Sequence, residues 1–178
     1  MQVATARPGY ELWRPNREKP AAQMTKALVA LVLLISAGLI AVITLGGWER
    51  LQGGAVIVMS LAWAGLYVVF AYLVMRWNRG VLPVASALAV ILAILAAIAA
   101  PAWFDRARDG LSSPALPEEL LGLLTLILVP IQALLVAVAM IGFNQEWHVE
   151  EERPTGGAPL AGEGDGGAAG DVPQPQAG

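Results

Sequence analysis

Four runs of this chain, Ala27 to Trp48, Ala55 to Met75, Val81 to Trp103 and Leu120 to Phe143, contain no Asp, Glu, Lys, Arg, His or Cys. Their lengths of 22, 21, 23 and 24 residues, at about 1.5 Å of rise per residue, match the roughly 30 Å hydrocarbon core of a bilayer. The first reads Leu28-Val29-Ala30-Leu31-Val32-Leu33-Leu34-Ile35, apolar all the way round, so no polar face remains for a soluble helix to turn to water. With 57% hydrophobic and 14% charged residues, the chain is more apolar than soluble domains, in which roughly 45–50% is usual. The expected fold is an all-α membrane protein, a four-transmembrane-helix bundle with a disordered carboxyl-terminal tail.

The ends differ in sign. Residues 1–26 hold Arg7, Arg14, Arg17, Lys19 and Lys26 against Glu11 and Glu18, and form a basic amino-terminal segment. Residues 27–147 hold the spans, and 148–178 form an acidic tail. From Val149 on, eight Gly and four Pro accompany few large apolar residues, too little apolar surface to offset the entropy of ordering. With four spans, one side carries Arg7, Arg14, Arg17, Lys19, Lys26, Arg76, Arg79 and Arg153, and the other only Arg50, Arg106 and Arg108. The positive-inside bias places both termini in the cytoplasm. The basic lead is too long, and the first apolar run too long, for a cleaved signal peptide. High Ala, Gly, Leu and Arg usage with little Lys points to a bacterial cytoplasmic membrane.

Trp48, Trp77, Trp103 and Trp147 sit at or just beyond run ends, where indole rings anchor at the headgroup interface. Short connections make the first three spans sequential antiparallel neighbours. Between the second and third spans, Arg76 complements a helix carboxyl end, Gly80 permits the turn and Pro83 suits the next first turn. Pro117, Glu118 and Glu119 read as the start of the last helix.

Chemical signals are sparse. The absence of cysteine removes thiolate nucleophiles, thiolate metal sites and disulfides. Gly162-x-Gly164-x-x-Gly167 matches the dinucleotide string, but no strand leads in and no helix follows to receive a pyrophosphate. His148, the single histidine, has too few companions for a metal centre. Asp105, Asp109, Glu118 and Glu119 lie in the outer loop without a nucleophile or base. Asp105 with Arg108 and Arg106 with Asp109 are spaced to pair on a helical turn. No metal site, cofactor or catalytic residue is expected, and the chain is read as no enzyme.

Two features within the spans stand out. Ala85, Ala89, Ala93 and Ala97 recur every four residues, a small-residue face that lets another helix approach closely, within the bundle or on a partner. Gln132 lies two residues after Pro130, whose ring disturbs the preceding turn. Its amide is expected either to repair the opened backbone or to bridge to a neighbouring helix, and a solute contact is the remaining reading. The expected function is an accessory or scaffolding subunit of a larger bacterial membrane complex. Its partners are the lipid bilayer and membrane-protein subunits, not nucleic acid. The alternative is a small transporter or channel for a neutral or hydrophobic solute, and a lipid-acting enzyme of the outer loop ranks last.

Overall fold

The structure, a computed structural model, describes residues 8–51, 53–105 and 114–155. They fall into two units, a helical bundle within residues 16–149 and a small unit drawn from the segments on either side of it. The tail beyond Thr155 and the Arg106, Arg108 and Asp109 positions of the expected loop pairs lie outside the described residues.

In the small unit, β1 (Tyr10–Trp13) pairs antiparallel with β2 (Glu151–Pro154), with Tyr10 opposite Pro154 and Trp13 opposite Glu151. The sequence reading ends order at Trp147, so this strand pair is an addition to it. Opposite charge aligns the two segments. Arg153 Nη2 donates to Glu11 Oε1 at 2.7 Å, Arg14 pairs with Glu150, and the Arg153 guanidinium lies 5.3 Å from the Trp13 ring centroid. Neither run has the apolar alternation that marks a strand in sequence.

A single turn, α1 (Pro15–Glu18), is followed by four long helices: α2 (Pro20–Gly46), α3 (Gly54–Met75), α4 (Val81–Phe104) and α5 (Glu118–Asn144). All four are long and apolar enough to cross a membrane. α2 begins at Pro20 rather than Ala27 because Pro20 occupies its first turn, where the fixed φ suits a helix and the missing N–H is no loss. α5 begins at Glu118 directly after Pro117, which places both acids of the expected start in the first turn.

α3 ends differently from the expectation. Gly80 has φ −61°, an ordinary right-handed value, and the left-handed residue is Trp77, at φ 63°. Asn78 N–H donates to Leu73 O at 3.0 Å and Trp77 N–H to Val74 O at 2.9 Å, the bond pair of a Schellman stop normally built on glycine. Past the end of α5, Glu146 is also left-handed, at φ 49°.

Of the sequential neighbours expected among the first three spans, α2 and α3 pack together and α3 and α4 do not. α4 lies along α5, α5 also packs on α2, and α2 on α3, while α3 and α4 diverge despite the short turn between them. Glycine explains the α4–α5 contact. A Cβ on Gly122 would stand 2.8 Å from Phe104 Cζ, and one on Gly142 would stand 3.3 Å from Leu82 Cδ1. α5 thus offers a hollow at each end for a large α4 side chain, and Ala85 and Ala89, both 0% exposed, keep the axes close between them.

Candidate functional site

The interior holds one polar chain that joins three helices. Tyr67 Oη of α3 donates to Gln132 Oε1 of α5 at 2.9 Å, and Gln132 Nε2 donates to Ser36 Oγ of α2 at 2.9 Å. Ser36 Oγ in turn donates to Val32 O at 2.8 Å. All three side chains are 0% exposed. Of the roles expected for the Pro130 and Gln132 pair, the amide takes the interhelical bridge, and α5 continues helically through Pro130. In an apolar medium an unpaired amide costs several kcal/mol, so this closed chain fixes the rotation of α2, α3 and α5 about their axes.

The alanine face is only partly buried. Ala85 and Ala89 are inside, Ala93 is half-buried and Ala97 is exposed, whereas Ala96 and Ala100 are buried in its place. Each step of four residues turns about 400°, so a four-residue stripe drifts about 40° per step. Over three steps it leaves the contact face, and a seven-residue step from Ala89 to Ala96 restores it.

We call the end of the bundle at which α2 begins and α5 finishes the terminal end, and the other the distal end. The expected interfacial tryptophans divide between inside and outside. Trp48 is 52% exposed, Trp77 is half-buried, and Trp103 and Trp147 are buried at 2% and 0%. At the terminal end, Trp77 and Trp147 meet edge to face with centroids 5.2 Å apart. Lys26 Nζ stands 4.1 Å from the Trp77 centroid and the Arg17 guanidinium 5.6 Å. Arg17 Nε donates to Trp147 O at 3.0 Å. Trp147 Nε1 donates to Gln145 Oε1, whose amide donates to Thr25 Oγ1. Arg79 Nε donates to Phe143 O at 2.8 Å and Nη1 to His148 Nδ1 at 2.9 Å, which requires the neutral imidazole with Nδ1 unprotonated. Arg17 and Arg79 thereby satisfy carbonyls in and just past the last turn of α5. These contacts hold Trp77 in its left-handed conformation. Sequence identified Trp77 and Trp147 as end markers but not as partners, because that pairing arises only in the folded bundle.

At the distal end, Arg50 Nη2 lies 2.9 Å from Glu118 Oε1, with side chains 9% and 13% exposed. Glu118, one of the four loop acids, therefore clamps the α2–α3 connection to the start of α5. Among the described residues, no three His, Cys, Asp or Glu side chains converge.

Where α3 and α4 diverge, a groove of about 840 Å³ opens in the distal half of the bundle. Its wall includes Thr44 of α2, Ser60 and Trp63 of α3, Ala96 and Trp103 of α4, and Leu128 of α5. Met59 and Ile98, on its rim, are 67% and 70% exposed, so it opens sideways. Trp63 Nε1 is occluded without a hydrogen bond. No family model, curated protein or solved structure matches the chain, so the site is read from its own geometry.

Proposed function

We propose that the protein is a non-catalytic accessory or scaffolding subunit of a larger complex in a bacterial cytoplasmic membrane, with both termini in the cytoplasm. The observation that carries this reading is the closed Tyr67–Gln132–Ser36 chain. The polar side chains that join helices in the bundle interior bond one another at 0% exposure. This is the economy of a part whose task is to hold a shape. A carrier for polar solutes needs polar groups that can exchange partners along a path, and Gln132, the residue on which transport would turn, has both amide groups engaged within the chain. α3 and α4 supply the open side, with Val58, Tyr72 and Ile94 among their large outward apolar residues.

Extraction from native membranes in mild detergent, followed by size separation and identification of associated subunits, tests the proposal. The expected result is a heavier complex of fixed composition. Recovery only as a monomer overturns it.

A further inference from the structure

The groove between α3 and α4 has the dimensions and chemistry of a lipid site. Its volume of about 840 Å³ falls within the roughly 300–1,000 Å³ of small-molecule sites and below what a spanning helix displaces. Along α4 its wall runs from Leu92 to Trp103, a rise of about 16 Å at 1.5 Å per residue. That is one leaflet, half of a hydrocarbon core about 30 Å thick. The groove begins at the distal end, where Trp103 and Leu51 line it, and closes near mid-bundle at Trp63 and Leu128.

Its polar groups are placed unevenly. Of the six serine and threonine hydroxyls in the described helices, those of Thr25, Ser36 and Thr125 turn back onto the carbonyl four residues earlier, and that of Ser86, away from the groove, is buried without a partner. Thr44 and Ser60, both on the groove wall, make no hydrogen bond among the described residues. Thr44 is 3% exposed. It lies within one turn of the distal end of α2, and Ser60 is about 9 Å inside the distal start of α3. The deeper wall, from Ala96 to Leu92 and Leu128, is apolar apart from the Trp63 indole N–H at its closed end. A hydroxyl at the boundary, Thr44, and a second about 6 Å deeper, Ser60, over a largely apolar slot one leaflet deep match an acyl chain whose ester oxygens sit at and just below the hydrocarbon boundary.

The geometry points to a binding site for one acyl-ester lipid, its tail in the groove and its ester oxygens accepting hydrogen bonds from Thr44 and Ser60. This goes beyond the scaffold proposal and stands independently of it. An ether lipid of the same chain length fills the slot but lacks the carbonyl acceptors.

Native mass spectrometry of the full chain, supplied with equimolar diester and diether phosphatidylcholine of matched chains, tests the site. The expected result is one retained lipid, with the diester favoured about eightfold, the equivalent of about 1.2 kcal/mol at 1.4 kcal/mol per tenfold. Thr44→Val with Ser60→Ala, which keeps the wall's bulk, is expected to remove the preference while lipid is still retained. Ala96→Leu, which narrows the slot, is expected to lower retention of both lipids. Thermal unfolding of each variant confirms that it is folded. Equal retention of the two lipids by the wild-type chain, or a preference unchanged in the double variant, overturns the proposal, as does a co-purifying polypeptide whose removal is needed before lipid binds.

Discussion

Replacing Gln132 by Leu keeps the bulk of the side chain and removes both interhelical bonds at once. Interhelical hydrogen bonds in membranes contribute on average about 0.6 kcal/mol and at most about 1.7. The direct loss therefore lies between about 1.2 and 3.4 kcal/mol. The two partners are not left in equal condition. Ser36 Oγ keeps its bond to Val32 O and loses only an incoming donor. Tyr67 Oη, at 0% exposure, loses the acceptor of its proton and has no water to replace it. Most of the cost thus falls on Tyr67, and the expected sum is about 2 kcal/mol, or roughly 4–8 °C in Tm for a chain of this size. Tyr67→Phe alone should cost about 1 kcal/mol and Ser36→Ala about 0.6. Because Gln132 and Tyr67 share a bond, the double variant should cost about 0.6–1 kcal/mol less than the sum of the singles. Reversible unfolding in bicelles measures all four. A Gln132→Leu variant within 0.5 kcal/mol of wild type, or strict additivity with Tyr67→Phe, refutes the claim that this chain orients the helices.

Three further outcomes are expected from the same measurement. Trp77→Gly relieves left-handed strain of about 1–2 kcal/mol but removes an edge-to-face pair and the Lys26 and Arg17 cations against the ring, worth together about 1.5–3.5 kcal/mol; a net fall in Tm of a few degrees is expected, and a rise would show that strain outweighs the ring contacts. Glu118→Ala leaves the Arg50 guanidinium buried and unpaired, and should cost about 3 kcal/mol, whereas Glu119→Ala, at an exposed position beside it, should stay within about 0.5. Ala89→Leu forces bulk into the α4–α5 contact and should cost about 1–3 kcal/mol, while Ala97→Leu, on the exposed side, should be neutral; equal effects would mean that the stripe drift has been misread.

The four long helices were legible because an uncharged run of that length, read as a membrane span, has to satisfy every backbone group internally, and a helix does so alone. The contacts between spans follow a different rule. Association in lipid is decided by how closely two backbones can approach, and a short connection only limits the distance at one end. Hence the Trp77 turn joins α3 to α4 without packing them together, and Gly122 and Gly142 give α4 to α5 instead. The two glycines were visible in the sequence, but which side chains would enter their hollows depends on helix rotation, which the polar chain through Gln132 helps to set. Gln132 itself was identifiable as a mid-span amide after a proline. Its partners were not, since Tyr67 and Ser36 lie 65 and 96 positions away and several other hydroxyls were equally available to it on sequence grounds.

The turn at Trp77 shows the same dependence from the local side. Propensity assigns the left-handed position to Gly80, the residue that takes it at least cost, and the protein instead places it at Trp77. A bulky residue holds that conformation only where surrounding contacts over-determine it, here Lys26 of α2, Arg17 of α1 and Trp147 just past α5. The stop of α3 is therefore a consequence of α2 and α5 having docked. It follows that truncation after Asn144 should loosen the end of α3 as well as that of α5, because removing Trp147 removes the wall against which Trp77 is held. Amide hydrogen exchange at Trp77 and Asn78, whose N–H groups make the stop, reads this directly: faster exchange at both in the truncated chain is expected, and unchanged protection would mean that the turn is set by its own sequence after all.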